Sequence, residues 1–136
     1  MSTSLATPSA PLPRGFVSVV GYRGAGIVAR ASGGVIWAHR ALPSGPGWHP
    51  APSCLFFPAP DGRLACLFAQ RIARELGWST VVRRGSAGSR VWQACGLVVP
   101  PFAVKVRLPA GMRAAAARQR LAPLYPAFQA CLAGGP

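Results

Sequence analysis

The sequence predicts a small single domain of the α+β class. Its 136 residues are 51% hydrophobic and 12% charged, so the chain can bury a packed core. Three patterns predict the class: short alternating segments with glycine turns over residues 16–40, an amphipathic helical repeat over 61–77, and strict alternation over 102–108. Strands and helices therefore form largely separate stretches, as in α+β domains.

The first part of the chain predicts a tail followed by a β-meander. Residues 1–13 are polar and contain prolines, which is typical of a flexible N-terminal tail, so the single domain is expected to cover 14–136. Three short antiparallel strands are predicted at 16–22, 27–31 and 35–40, because apolar side chains fall on both faces and glycine turns separate the segments.

Residues 41–60 predict a long Pro-rich loop. The segment holds six prolines and no Lys, Arg, Asp or Glu. Together with the meander it would form a β-rich apolar half, residues 14–60. Three aromatic side chains in the loop could wrap the core or present an apolar surface, namely Trp48, Phe56 and Phe57.

The segment 61–77 predicts the clearest helix of the chain. Asp61 is an N-cap candidate because it directly precedes the helical repeat, and Gly77 is the expected terminator. The apolar stripe repeats every fourth residue, at Leu64, Phe68, Ile72 and Leu76.

The remaining sequence predicts three strands and a helix. The strands are expected at 78–84, 90–99 and 102–108, separated by a GSAGS loop and by Pro100–Pro101. The alanine-rich segment 112–121 predicts a helix, with another short helix beyond Pro123. Residues 61–136 would therefore form a basic α-β-β-β-α half.

The charge balance excludes several kinds of chemistry. The chain has 15 Lys and Arg against two acids, a formal net charge of +13. Two carboxylates cannot build a carboxylate-rich Mg²⁺ or Ca²⁺ cage, and both would be needed for a glycosidase pair. The four cysteines are isolated, with no CxxC pair, so reduced, mostly buried thiols are expected. We therefore expect no enzyme activity, no catalytic residue, no cofactor and no metal site.

The position of the charge predicts a polyanion as partner. Residues 1–61 carry four arginines against Asp61, a net of +3, whereas residues 62–136 carry ten arginines and Lys105 against Glu75, a net of +10. Arg and Lys bind nucleic acid by neutralising phosphates and releasing counterions. The sequence therefore predicts non-catalytic binding of DNA or RNA by an Arg-rich sheet and helix surface.

The predicted nucleic-acid surface has a sheet part and a helix part. The sheet part is expected to place basic residues of adjacent strands on one face, with an aromatic ring to stack on a base: Arg83, Arg84, Arg90, Lys105, Arg107 and Trp92. The helix part would add five arginines: Arg71, Arg74, Arg113, Arg118 and Arg120.

Two alternatives use the same charge differently. In the first, the protein is a small phage- or plasmid-encoded inhibitor or interaction module that binds an acidic surface of a nucleic-acid-processing complex. Its aromatic anchors would be Trp48, Phe56 and Phe57, because aromatic and arginine side chains dominate binding energy at protein interfaces. In the second, the chain is a ribosome-associated subunit.

The sequence predicts a cytoplasmic protein without a membrane partner. The longest stretch free of charged side chains, 41–60, contains too many prolines for a spanning helix. Residues 1–13 lack the positive start and apolar run of a secretion signal. The excess of Arg over Lys, with abundant Ala, Gly and Pro, indicates a GC-rich source, so we expect a bacterial or phage-encoded protein rather than an organellar one.

Overall fold

The structure is a small single domain of the α+β class, as predicted. It is a computed structural model that describes residues 12–19, 26–42, 47–124 and 126. The predicted tail 1–13 lies outside the described residues except for its last two positions. The elements, in chain order, are β1 (Val17–Ser18), β2 (Ile27–Ser32), β3 (Val35–Arg40), β4 (Cys54–Ala59), α1 (Gly62–Leu76), β5 (Thr80–Arg84), a 3₁₀ turn (Gly85–Gly88), α2 (Ser89–Ala94), β6 (Phe102–Arg107) and α3 (Ala114–Leu121).

All strands in the described part of the chain belong to one antiparallel sheet. Their order across the sheet is β1-β2-β3-β4-β6-β5. The first three strands form the predicted meander, and β2 and β3 are joined through a two-glycine turn in which Gly33 and Gly34 both have positive φ. The pairing between the strands most distant along the chain is β4–β6, which brings Cys54 opposite Arg107 and Phe56 opposite Lys105.

Two helices cover one face of the sheet, which we call the α1 face. Alternate residues of β3, β4 and β6 point to this side, among them Trp37, Leu55 and Val104. They pack against Phe68 and Ile72 of α1, and against side chains of α3. This cluster holds the largest share of the buried apolar side chains in the described residues.

The opposite face, which we call the α2 face, is only partly covered. Val91 and Trp92 of α2 pack on Ile36, Phe56 and Ala103, which occupy three different strands. Helix α2 has six residues, so it is too short to cover the whole sheet. The ends of β3, β4 and β6 extend beyond it.

Helix α1 has the predicted caps. The carboxylate of Asp61 accepts a hydrogen bond of 2.8 Å from the Leu64 N–H, and Gly77 ends the helix at φ 72°, where its N–H donates to the Ala73 carbonyl. These bonds satisfy backbone groups that a helix end leaves unpaired. Helix α3 begins at Ala114, two residues after the predicted start; residues 125 and 127–136, where the second short helix was predicted, lie outside the described residues.

The predicted loop 41–60 was wrong in its second half, where β4 runs through the centre of the sheet. Prolines on both sides favoured a loop, yet Pro58 costs the sheet no hydrogen bond. It lies beyond the last β3–β4 pair, Ile36 with Phe56, so its missing N–H faces no partner strand.

The predicted strand 90–99 was also wrong, and its first half is helix α2. Gly96 has a φ of 71° and ends the helix: its N–H donates to Gln93, and the Leu97 N–H donates to Trp92. This is the double hydrogen bond of a Schellman C-cap. The second half of the domain is therefore ordered α-β-α-β-α.

Candidate nucleic-acid interface

Three of the predicted basic residues lie on the α2 face of the sheet. Arg83 shares a face with its cross-strand partner Ala103, and Lys105 and Arg107 follow at every second position along β6. A fourth cation, Arg40, lies on the same face because it follows Ala38 by two residues in β3. We call these four residues the basic stripe.

The basic stripe runs diagonally across the sheet. Arg83 and Lys105 are diagonal neighbours on adjacent strands, about 7–8 Å apart at their Cα atoms. Lys105 and Arg107 are separated by two residues along β6, about 7 Å. Arg40 lies two strands away from Arg107 and two residues further along the strand direction. From the spacing between strands and the rise per residue, the stripe spans roughly 25 Å from Arg83 to Arg40.

Three members of the basic stripe line one groove of about 790 Å³, which lies where α2 leaves the sheet uncovered. Its floor is formed by side chains of the sheet, including Cys54 and Ala38. Its walls are the loop 49–53 and the turn 110–111. The basic side chains that line it are Arg40, Lys105 and Arg107. Lys105 also borders a small depression beside α2 that Arg83 and Arg84 line.

Backbone hydrogen bonds hold the Arg40 end of the groove. Ala41 donates to the Gly26 carbonyl at 2.9 Å, and His49 donates to the Arg40 carbonyl at 2.8 Å. Ser53 donates to the Ala38 carbonyl at 2.8 Å, which fixes the chain where it enters β4. The position of Arg40 is therefore set by both of its neighbouring segments and does not depend on a side-chain partner.

The pKa of the Cys54 thiol depends on its burial in the groove floor and on the positive charges around it. Burial raises the pKa of this thiol, while the positive charges of Lys105, Arg40 and Arg107 act in the opposite direction. All three cations of the groove therefore lie close enough to Cys54 to affect its titration. Because burial dominates, the thiol stays protonated, and this argues against Cys54 as a nucleophile.

The other predicted sheet residues lie at the rim. Arg84 has the opposite parity to Arg83 in β5, and it is exposed at the end of that strand. Arg90 is exposed on α2 rather than on a strand. The prediction that all five basic residues share one strand surface was therefore wrong for these two. Arg84 has the other parity in β5, and Arg90 lies in a segment that is helical.

The predicted helix arginines lie on the opposite side of the sheet. Helices α1 and α3 cover the α1 face, and all five of these side chains are exposed. The structure does not bring these five residues together with the basic stripe, although Arg113 follows the groove wall 110–111 by two residues. They are Arg71, Arg74, Arg113, Arg118 and Arg120.

The prediction that Trp92 stacks on a base was wrong for this conformation. Its side chain is 2% exposed and packs in the cluster with Phe56 and Ala103. A base needs access to one face of the ring, and here both are occupied by the core. Trp92 therefore holds α2 on the sheet and so determines where the groove begins.

The aromatic anchors of the interaction-module alternative are also largely inside the protein. Phe57 is 1% exposed and packs edge-to-face on Phe68 at 4.8 Å, and Phe56 is buried under α2. Trp48 is half-buried, and its ring lies close to Gly26, where an added Cβ would meet it at 3.3 Å. Phe56 and Phe57 therefore cannot serve as the surface anchors that this alternative requires.

The side chains of the groove can bind oxyanions. A guanidinium offers five N–H donors in a planar fork that matches phosphate, and an ammonium offers three. The described residues contain no cluster of three or more His, Cys, Asp or Glu side chains that could hold a metal ion. In the described part of the chain, no helix has the length and apolar character to cross a bilayer.

No family model, curated protein or solved structure matches this chain. Sequence reasoning missed Arg40, although its signal was present: it ends an alternating strand on the same parity as Ile36 and Ala38. Alternation alone could not show that β4 lies next to β3 and that β6 lies next to β4.

Proposed function

We propose that the protein binds nucleic acid without catalysis, through phosphate contacts of the basic stripe. The observation that carries the proposal is the arrangement of Arg83, Lys105, Arg107 and Arg40, which follow one another diagonally on one face, the last three in one groove. A chain of phosphates is the common biological ligand that presents regularly spaced negative charges to such a row.

The surroundings of the stripe support a backbone-binding mode. The groove contains no acidic side chain among its described lining residues, so nothing there repels a phosphate. Trp92 and Phe56 are buried, and the described residues that line the groove include no Phe, Tyr or Trp. Binding would therefore be driven by phosphate neutralisation, with little base specificity.

The experiment measures binding of fluorescently labelled single-stranded and double-stranded DNA and RNA over a series of salt concentrations. We expect the logarithm of the affinity to fall linearly with the logarithm of salt concentration. The triple variant Arg40→Gln, Lys105→Gln, Arg107→Gln should lower the slope by about 2 for single strands, since each lost phosphate contact changes it by about 0.7.

A charge-matched control separates the groove from net charge. The triple variant Arg63→Gln, Arg71→Gln, Arg74→Gln removes the same charge from exposed positions of α1, on the other side of the sheet. It should retain most of the slope. Two results would refute the proposal. One is an equal loss of slope in the two triple variants. The other is no detectable binding by the unmodified protein at about 50 mM salt, where phosphate contacts are strong.

A further inference from the structure

Aromatic rings and guanidinium groups alternate at the β2 end of the α1 face. Phe16 precedes the β1–β2 register pair Val17 and Ala29, which places it beside Arg30. The Arg30 guanidinium carbon lies 5.6 Å from the centroid of the Phe16 ring. On its other side, Arg30 is the register partner of Trp37. Arg30 is therefore flanked by an aromatic side chain on each neighbouring strand.

Arg118 of helix α3 adds a second guanidinium to this row. Its guanidinium carbon lies 5.0 Å over the Trp37 ring, and its Nη2 donates a hydrogen bond of 3.0 Å to the hydroxyl oxygen of Ser32. Ser32 follows Arg30 by two residues on the same face of β2. The two guanidinium groups therefore come from different elements, with Arg30 against Phe16 and Arg118 against Trp37.

This pair of positive charges has no carboxylate partner among the described residues. Asp61 caps α1 through Leu64, and Glu75 belongs to the last turn of the same helix. Burial and the nearby charge of Arg118 both lower the pKa of Arg30. Two like charges are thus held near each other, with Arg30 partly buried and Arg118 exposed.

We propose that Arg30 and Arg118, with the Ser32 hydroxyl, form a binding site for a phosphate group. Each guanidinium places one face against an aromatic ring, which restricts its orientation before any ligand arrives. Apart from the Arg118 donor that Ser32 accepts, the edge N–H groups can make the fork-like contacts that guanidinium makes with phosphate oxygens. This site lies on the α1 face and is separate from the basic stripe, so it goes beyond the proposed nucleic-acid groove.

The test is a titration of the full chain with inorganic phosphate, followed through the Nε–Hε NMR signals of the arginine side chains. We expect saturable shifts of the Arg30 and Arg118 signals. Arg30→Gln should raise the Kd for phosphate by about tenfold, which corresponds to about 1.4 kcal/mol. Arg63→Gln, which removes one exposed positive charge from α1, should leave the Kd within about twofold.

Further variants and ligands keep the test decisive. Because Arg118→Gln could also destabilise α3, both Arg118→Gln and Arg118→Lys are checked by thermal unfolding. Arg118→Lys keeps the positive charge but loses the planar guanidinium, and it should still weaken phosphate binding. A nucleoside monophosphate is titrated in parallel: tighter binding than inorganic phosphate identifies a nucleotide as the source of the group, and equal binding identifies phosphate alone. Arg63→Gln should leave both titrations within about twofold.

Three results would overturn this site. The first is the absence of saturable shifts in the unmodified protein. The second is an equal loss of phosphate affinity in Arg30→Gln and Arg63→Gln, which would indicate a response to net charge. The third is equal binding of acetate at matched ionic strength, which would show that the pair does not distinguish phosphate from a carboxylate.

Discussion

Replacement of Trp92 by leucine distinguishes a core side chain from a base-stacking one. The variant keeps an apolar side chain but removes the aromatic face and much of the ring volume. Trp92 is 2% exposed and packs between α2 and the sheet, so the lost ring leaves a cavity in the cluster. Complete truncation of a buried Trp or Phe costs about 3–5 kcal/mol, and we expect about 2–3 kcal/mol for the partial loss to leucine.

The consequence for binding is expected to be small. A ring that stacks on a base contributes about 1–3 kcal/mol, so its loss would weaken nucleic-acid binding by about fivefold or more. In the structure the ring is almost fully buried, so Trp92→Leu should change the affinity of the folded protein by less than about twofold. Stability and binding must be measured under the same buffer conditions.

Urea unfolding followed by far-UV circular dichroism gives the stability, since the chain contains three other tryptophans that complicate fluorescence. Binding is measured at a temperature where the variant is fully folded. Leu67→Ala, at an exposed position of α1, is the control and should change stability by less than about 0.5 kcal/mol. A variant with unchanged stability and at least fivefold weaker binding would refute the packing of Trp92 described above.

Two further predictions concern stability. Burial lowers the pKa of His39, although the hydrogen bond of its Nδ1–H to the His49 carbonyl, 3.0 Å long, acts in the other direction. The unfolded chain therefore takes up this proton first, so the free energy of unfolding should decrease as the pH falls through about 6.5. His39→Asn keeps an N–H donor but cannot titrate, and denaturation over pH 5–8 should show a flatter profile; an unchanged profile would contradict the assignment. At Gly85, an added Cβ would overlap the Pro100 carbonyl oxygen, whereas at Gly62 it would meet only the Phe102 ring at 3.4 Å. Gly85→Ala should therefore cost more than about 2 kcal/mol by urea unfolding and Gly62→Ala less than about 1 kcal/mol, and similar values for both would contradict the close approach.

Local signals predicted the elements that depend on local interactions. Three local signals predicted both ends of helix α1 to within one residue. They are the cap at Asp61, the apolar residues at every fourth position, and Gly77. The alternation over 102–107 gave β6 because its two faces differ sharply: Val104 and Val106 are buried in the core, while Lys105 and Arg107 point to the groove side.

The errors arose where local and long-range interactions compete. Segment 90–99 contains apolar residues that suit a strand, but the Gly96 C-cap ends a short helix whose apolar side chains the sheet can bury. Segment 54–59 lies between prolines, yet it pairs on both sides with distant strands, and those partners are about 20 to 50 residues away along the chain. Local patterns along the chain do not identify which distant strands pair with each other.

The candidate site shows the same division. The charge of Lys105 and Arg107 on one face followed from alternation, and this part needed no tertiary information. The addition of Arg40 required the strand order β3-β4-β6, which places the end of β3 two strands away from Arg107. The burial of Trp92 follows from the packing of α2 on the sheet, which no local pattern shows.

The short length of α2 is what makes the α2 face a candidate binding surface. On the α1 face, helices α1 and α3 together cover the sheet, so its cations project from helix surfaces or the sheet edge. On the α2 face, one helix of six residues buries Phe56 and Ala103 and then ends at Gly96. Beyond it, the sheet continues with Cys54, Arg107 and Arg40, where the bonds from His49 and Ser53 fix the groove wall. Arg107 and Arg40 therefore stay at the surface of the groove, and burial of these cations without partners would carry a high desolvation cost.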